Sequence, residues 1–404
     1  TAGEITPQGY MDHSLTAFPI PRQGFAFATH LIRDLKNFEI SQALQVAHDL
    51  RHKIQASGGS DHAADRASRL VASHEASHPA ESIADRAADL VAQLDGFHEL
   101  PDTADHEWNV REPDATDVAP DPLSSPAAEY LHIHRSGTGT SSKWTRPTNR
   151  FAFLLIDGLS MREESVVSAL YSCLGDIPLF GGSAGDGLDF GKTHVYADGQ
   201  FHEDSAVVLL VETEHPTMVF KTQHFESTDQ KMVVTAADVV SRTVYELNGE
   251  PAAQEYARMV GVSSVEALDP AIFATNPVVV QIGGGSYVRS IQKVGKDNSL
   301  VFYCAIDEGL VLTLAHGLDM VEDLNRLFGE IQETVGPPQL IIGCDCILRN
   351  LELEREQLKG QVSDLLTGHK VVGFSTYGEQ YNAMHVNQTF TGVAIGMRAF
   401  KQAG

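Results

Sequence analysis

Several short motifs carry residue types that could do chemistry. His74-Glu75-Ala76-Ser77-His78 has the spacing that sets two imidazoles one helical turn apart around a zinc ion, with a glutamate as base. Pro79 would stop such a helix at once, and the positions where the extended motif needs a glycine and a histidine hold Glu81 and Ala84. In a stretch rich in histidine and alanine the match reads as chance. Cys344-Asp345-Cys346 ends an apolar run; residues two apart on a strand point the same way, so the thiols could share a small metal or simply pack as buried apolar groups. The pair is not a redox Cys-x-x-Cys. No Cys-x-x-Cys-His occurs, which excludes a covalently attached c-type haem. The run Gly181-Gly182-Ser183-Ala184-Gly185-Asp186-Gly187 lacks the Lys and Ser/Thr of a phosphate-binding loop; its glycines suit a tight turn or a ligand cradle. Gly283-Gly284-Gly285-Ser286 reads the same way. Thr1, as a terminal residue, could use its own amine as the base for amide hydrolysis. A matching turn at Thr376 has no free amine, so a hydrolase is the minor reading and a non-enzyme the main one.

The surrounding chain must position these groups. Its 404 residues suggest two or three domains. With 54 acidic against 29 basic side chains it carries −25, a charge that repels nucleic acids and anionic membranes as partners. At 42% hydrophobic it can build a sizeable core, yet no apolar run approaches the roughly 20 residues of a membrane span. Four cysteines in this length make no disulfide framework, and a reducing, cytoplasmic setting is expected. Residues 25–32 read as a strand and 40–54 as a helix. From 52 to 149 Ala, Asp, His, Ser and Pro dominate. Ala63-Ala64-Asp65-Arg66-Ala67 recurs as Ile83-Ala84-Asp85-Arg86-Ala87, and five prolines follow between 101 and 126. That composition predicts two short helices and a tether, together an insertion of which residues from about 57 to 126 are dispensable for ligand binding. From 150 a strand-rich α/β pattern resumes, with helices expected at 163–174, 236–245, 321–335 and 350–366. Strands outnumber helices and several are consecutive, so the fold class is α/β, with mixed sheets and flanking helices. Leu348, Leu351, Leu358, Val362 and Leu365 keep a 3–4 spacing over two heptads; they suit a helix packed on a sheet or the seam of a homodimer.

Thr1-Ala2-Gly3-Glu4 and Thr376-Tyr377-Gly378-Glu379 are the same turn, the second preceded by a strand and the first not. With Gly181–Asp186, residues 247–253, Tyr287-Val288-Arg289-Ser290, residues 372–379 and His385-Val386-Asn387-Gln388-Thr389, they make the chain resemble the FIST family of bacterial sensory proteins. The likeness covers 1–51 and 150–396, with the blocks in the family's order. Within it, Gln223-His224-Phe225, residues 343–349 and Met384-His385 look most like the NosP-type haem-containing nitric oxide sensors. The resemblance implies two related FIST domains, the first made of 1–51 and 150–247 around the insertion 52–149, the second of 248–404. It departs from the pattern in that insertion and in lacking the upstream part of the first domain. It also implies a non-covalent b-type haem that binds nitric oxide, and a signal passed to a separate histidine kinase or cyclic-di-GMP enzyme, since this chain holds no kinase or cyclase motif. The alternative is a FIST module for a small amino-acid-like molecule without haem.

Under the haem reading the iron needs a neutral imidazole in an apolar pocket. Eight of the 18 histidines fall in the insertion, away from apolar surroundings. His224, beside Phe225 at a strand end, is the first candidate axial ligand; His385, beside Met384, is the second and His316 the third. Phe225, Tyr377 and Met384 are the expected neighbours of the ligand. Because His224 comes from the first domain and Tyr377, Met384 and His385 from the second, the ligand is expected between the domains.

Overall fold

The computed structural model describes residues 4–11, 24–57, 149–282 and 285–397. The paired helices and proline tether expected before 149, the His74–His78 motif and Thr1 therefore lie outside the described residues. Two six-stranded sheets form the centre. The first runs, in order, Gly9–Met11, Glu4–Thr6, Val371–Thr376, Pro338–Cys346, Phe390–Gly396, Thr217–Thr222. The second runs Met384–Val386, Glu379–Tyr381, Leu179–Ala184, Asn149–Asp157, Ser205–Thr213, Phe25–Arg33. Each has one parallel pair at its centre and antiparallel neighbours elsewhere, so the two share one topology.

The sheets stack face to face through Phe151, Phe180, Val211, Ile342, Cys344, Val393 and Ile395. Helices Ile40–Ser57 and Glu163–Leu174 cover the outer face of the second sheet. Helix Met320–Val335 and the pair Ile347–Arg355 and Lys359–Gly368 cover the first. The result is a four-layer α/β/β/α sandwich, the arrangement in which every apolar sheet face finds a cover. A third sheet, built from strands between Phe225 and Gly317, buries its own core with helices Ala252–Met259 and Pro270–Thr275. The fold is thus α/β with mixed sheets and flanking helices.

Strands exchange between the two sheets. The hairpin Glu379–Tyr381/Met384–Val386 leaves the end of Val371–Thr376, in the first sheet, and pairs with Leu179–Ala184 in the second. The hairpin Glu4–Thr6/Gly9–Met11 occupies the same place in the first sheet, against Val371–Thr376. The Thr-x-Gly-Glu sequence thus leads into the edge hairpin of each sheet, with residues 1–3 of its first copy lying outside the described residues.

Three readings are corrected. Residues 236–245 are not a helix; strand Phe225–Asp238 continues through them, turns, and returns as Thr243–Leu247. The segment is rich in Val and Thr, which favour a pleated surface, and Arg242 takes a left-handed φ of 53° in the reversal. Gly181 and Gly182 lie in a buried strand, not in a loop. A Cβ at Gly181 would sit 2.0 Å from Leu154 O, and one at Gly373, its counterpart, 1.8 Å from Gly343 O; both glycines exist for close strand packing. The expected helix 350–366 is two helices, broken where Gln357 takes φ 59°. Leu348 and Val362 point into the core, so the leucine spacing makes no continuous seam.

Candidate ligand-binding site

Because the sheets share a topology, their hairpins can be compared residue by residue. Ile5 faces Gly373 and Tyr10, while Gln380 faces Gly181 and His385. Tyr10 and His385 therefore hold equivalent places, and each anchors a buried polar network.

The Tyr10 network is closed. Its hydroxyl donates to Asp345 Oδ2, while Arg349 Nε donates to Asp345 Oδ1 at 2.7 Å. Asp345 ends strand Pro338–Cys346 and Arg349 stands one helical turn on, so the i,i+4 spacing brings them together. Arg349 Nη1 lies 3.1 Å from His224 Nδ1, and His224 Nε2 lies 2.8 Å from Glu352 Oε1. An arginine can only donate, so Nδ1 accepts and Nε2–H donates to the carboxylate. Burial pushes the Tyr10 hydroxyl well above its ordinary pKa, with the Asp345 charge adding to it.

The His385 network is open. His385 Nδ1 faces Gln380 Nε2 at 3.3 Å, and that amide nitrogen donates to Ser183 Oγ at 2.9 Å. Burial brings the imidazole pKa down to about 4, against the pull of Glu164, so it is neutral near pH 7. Gln380 Oε1, Arg289 Nε and both amide atoms of Asn387 are buried with no hydrogen-bond partner. Asn387 is 0% exposed. It belongs with His385: a Cβ at Gly378 would lie 2.5 Å from His385 Cε1 and 2.7 Å from Asn387 Nδ2. Arg289 joins them through Nη1, which donates to His385 O at 3.3 Å. Gln388 Nε2 donates to Ala274 O at 2.6 Å and its Oε1 accepts from Ser290, tying the same segment to the third sheet.

Three acids flank this cluster. Glu379 accepts from the hydroxyls of Thr376 and Thr389 and from Thr389 N; burial raises its pKa to about 8 despite those bonds. Glu163 and Glu164 share Arg242, at 2.5 and 2.7 Å, and Glu164 Oε1 accepts from Ala305 N. That clamp joins the N-terminal end of helix Glu163–Leu174 to the third sheet.

The expected site residues fall into different places. His385 lies at the centre of the open network, and Met384 is its half-buried neighbour on the edge strand. Tyr377 is buried close by, but its hydroxyl accepts from Asp186 N and is bonded to the Asp186 carboxylate and Gly187 O. It clasps the loop after Ala184, with the Phe190 ring tilted 31° against it at 4.8 Å. His224 and Phe225 belong to the other network, their ring centroids 4.2 Å apart. His316 is exposed, with Nε2 3.6 Å from Glu226, not in an apolar pocket. Cys344 and Cys346 are buried, and burial pushes both thiols well up, away from the thiolate form that a metal needs.

The residues present do not fit a haem. Both nitrogens of His224 are engaged, and the residue is 1% exposed. His385 is surrounded by Gln380, Arg289, Asn387 and Glu164, polar groups where a porphyrin needs apolar walls. Arg289, Asn387, Gln380, Ser183 and Glu164 were not singled out by residue type. Arg289 and Asn387 do lie in the blocks 287–290 and 385–389 that carried the family likeness, which was the signal available.

Among the described residues the site is a polar interior cluster with unmet hydrogen bonds, an arrangement that a small ligand can complete. A FIST N domain model matches residues 1–250 and a FIST C domain model residues 252–382, so the chain belongs to the FIST family of sensory proteins. It is 26% identical over 279 residues to an uncharacterized protein of Methanocaldococcus jannaschii, a match covering 61% of this chain and 54% of that protein. The chain thus spans about half the length of that relative. No solved structure matches it. Among the described residues no helix is long and apolar enough to cross a membrane.

Proposed function

We propose that the chain senses a small polar, amino-acid-like molecule, taken up without haem by the open network around His385. One observation carries this reading: Asn387 is fully buried with neither its amide oxygen nor its amide nitrogen paired. Leaving such groups unmet costs about 1–3 kcal/mol each, so they are normally satisfied by protein, water or ligand. The cluster draws Ser183 and Glu164 from the FIST N part and Arg289, Gln380 and Asn387 from the region after it. A ligand there touches both parts and can bias their packing, which gives a two-state output without catalysis.

Signal transfer to a separate histidine kinase or cyclic-di-GMP enzyme rests on the family resemblance alone, as does a homodimer. A cytoplasmic location agrees with the four free cysteines, three of them buried. The haem and nitric oxide reading rests on the same resemblance, and the engaged nitrogens of His224 weigh against it.

Two measurements on the purified full chain separate the readings. Calorimetry with a panel of free amino acids and related small polar molecules should reveal a binder whose affinity falls in Asn387→Leu. Titration with haemin should give no stoichiometric Soret band. Stoichiometric haem uptake that is lost in His224→Ala or His385→Ala would overturn the proposal in favour of the haem sensor.

A further inference from the structure

Three arginines are buried among the described residues: Arg242, Arg289 and Arg349. Arg349 is neutralised by Asp345 at 2.7 Å, and Arg242 by Glu163 and Glu164. Arg289 is different. It is 7% exposed, and no carboxylate among the described residues reaches ion-pair distance of it. Its hydrogen bond, from Nη1, goes to the neutral carbonyl of His385, and Nε has none. The nearby Glu164 is committed to Arg242 and Ala305 N. Cys304, whose thiol also hydrogen-bonds with the Arg289 side chain, is no counter-ion either, because burial raises its pKa and keeps it neutral.

A buried guanidinium without an anion is costly, since desolvation removes its water and nothing replaces the lost charge stabilisation. Among the described residues one such charge is left open, in the same cluster as the unpaired Asn387 amide and the unpaired Gln380 Oε1. We propose that Arg289 is the counter-ion for a carboxylate of the ligand, and that Asn387 reads a second polar group on the same molecule. This rests on the ligand site proposed above. With Nη1 held by His385 O, the Nε edge of the guanidinium is the side left to the anion, an edge whose planar geometry suits a carboxylate. A phosphate suits it less. The surroundings hold one open cation and the acids Glu163, Glu164 and Glu379, which oppose a second negative charge.

The full chain is tested by calorimetry and thermal shift with matched probes: glycine and alanine, their neutral amides, acetate, ethanolamine and inorganic phosphate. The expected result is that the amino acids bind, the amides bind at least about tenfold more weakly, and Arg289→Gln removes that preference. Arg289→Lys, which keeps the charge but not the fork, should retain part of it. Without ligand, Arg289→Gln should be as stable as the wild type or more so, because it deletes an uncompensated buried charge. A large loss of apo stability in both variants would instead mark Arg289 as structural and overturn the assignment. Amides that bind as well as the acids, still dependent on Asn387, would sink the carboxylate but leave the ligand site standing. Phosphate binding tightest, dependent on Arg289, would replace the carboxylate by a phosphate. No binding by any probe would overturn both the assignment and the site.

Discussion

The two six-stranded sheets share a strand order but use their edge hairpins in opposite ways. Around Tyr10, Asp345 and Arg349 nearly every buried polar atom has a partner, and the arginine is neutralised by Asp345; Glu352 Oε2 is the exception. Around His385 the same position in the partner sheet supports an uncancelled guanidinium and a wholly unpaired amide. Two halves of one topology thus diverge in how completely the interior satisfies itself. A satisfied network holds the fold in one arrangement; an unsatisfied one is free energy available to a ligand. The comparison separates His224 from His385 better than residue type does, because both are buried histidines beside a large apolar neighbour.

Breaking the closed side should have the largest effect. Arg349→Ala strands Asp345 in the core and removes the donor to His224, and it should cost about 3–5 kcal/mol in urea unfolding. A loss below about 1 kcal/mol would mean the network does not hold the fold.

The acid beside the open network sharpens the contrast through pH. Glu379 has its pKa raised from 4.5 to about 8 by burial. Its contribution to stability is full below the unfolded value of 4.5 and is lost as pH rises through about 8. Glu379→Gln should remove that slope, on the order of 5 kcal/mol across the window at ~1.4 kcal/mol per unit. His385 works in the other direction: its pKa is depressed to about 4, so its contribution is present above 6.5 and lost as pH falls through 4. Melting temperature followed from pH 4 to 9 in wild type and variant checks both signs.

Tyr10→Phe deletes one hydroxyl from the closed network and should cost about 1–2 kcal/mol, the price of leaving Asp345 Oδ2 without its donor. The smallest effect on stability belongs to the open side. Asn387→Leu replaces an unpaired amide by an apolar group of similar size, and should change unfolding by less than about 1 kcal/mol while abolishing ligand binding. A loss as large as that of Arg349→Ala would show that the two networks are not different in kind.

Much of the secondary structure was legible in the residues. Strand Phe25–Arg33 and helix Glu163–Leu174 appear close to the expected ranges, because their apolar spacing fits the observed elements. The segment 236–245 was misread because its apolar residues also fit a helical spacing, and only pairing with 225–238 decides for strand. The candidate site was half legible. His385 and Met384 could be named, but a histidine's role depends on whether its nitrogens are already taken, and sequence spacing does not report that.

By itself the sequence determined the α/β class, the family, the positions of most elements and the repeat of the Thr-x-Gly-Glu turn. These follow from local propensity and periodicity, which act over a few residues. The tertiary structure alone decided that the two hairpins cap equivalent sheets, one of them crossing over to the other half, that Tyr10 meets Asp345 and Arg349 meets His224, and that Arg289 meets no acid among the described residues. Those outcomes depend on groups brought together across 96 to 335 residues of chain, such as Arg289 with His385 or Tyr10 with Asp345, and on a dry interior where each unpaired charge costs far more than it would in water.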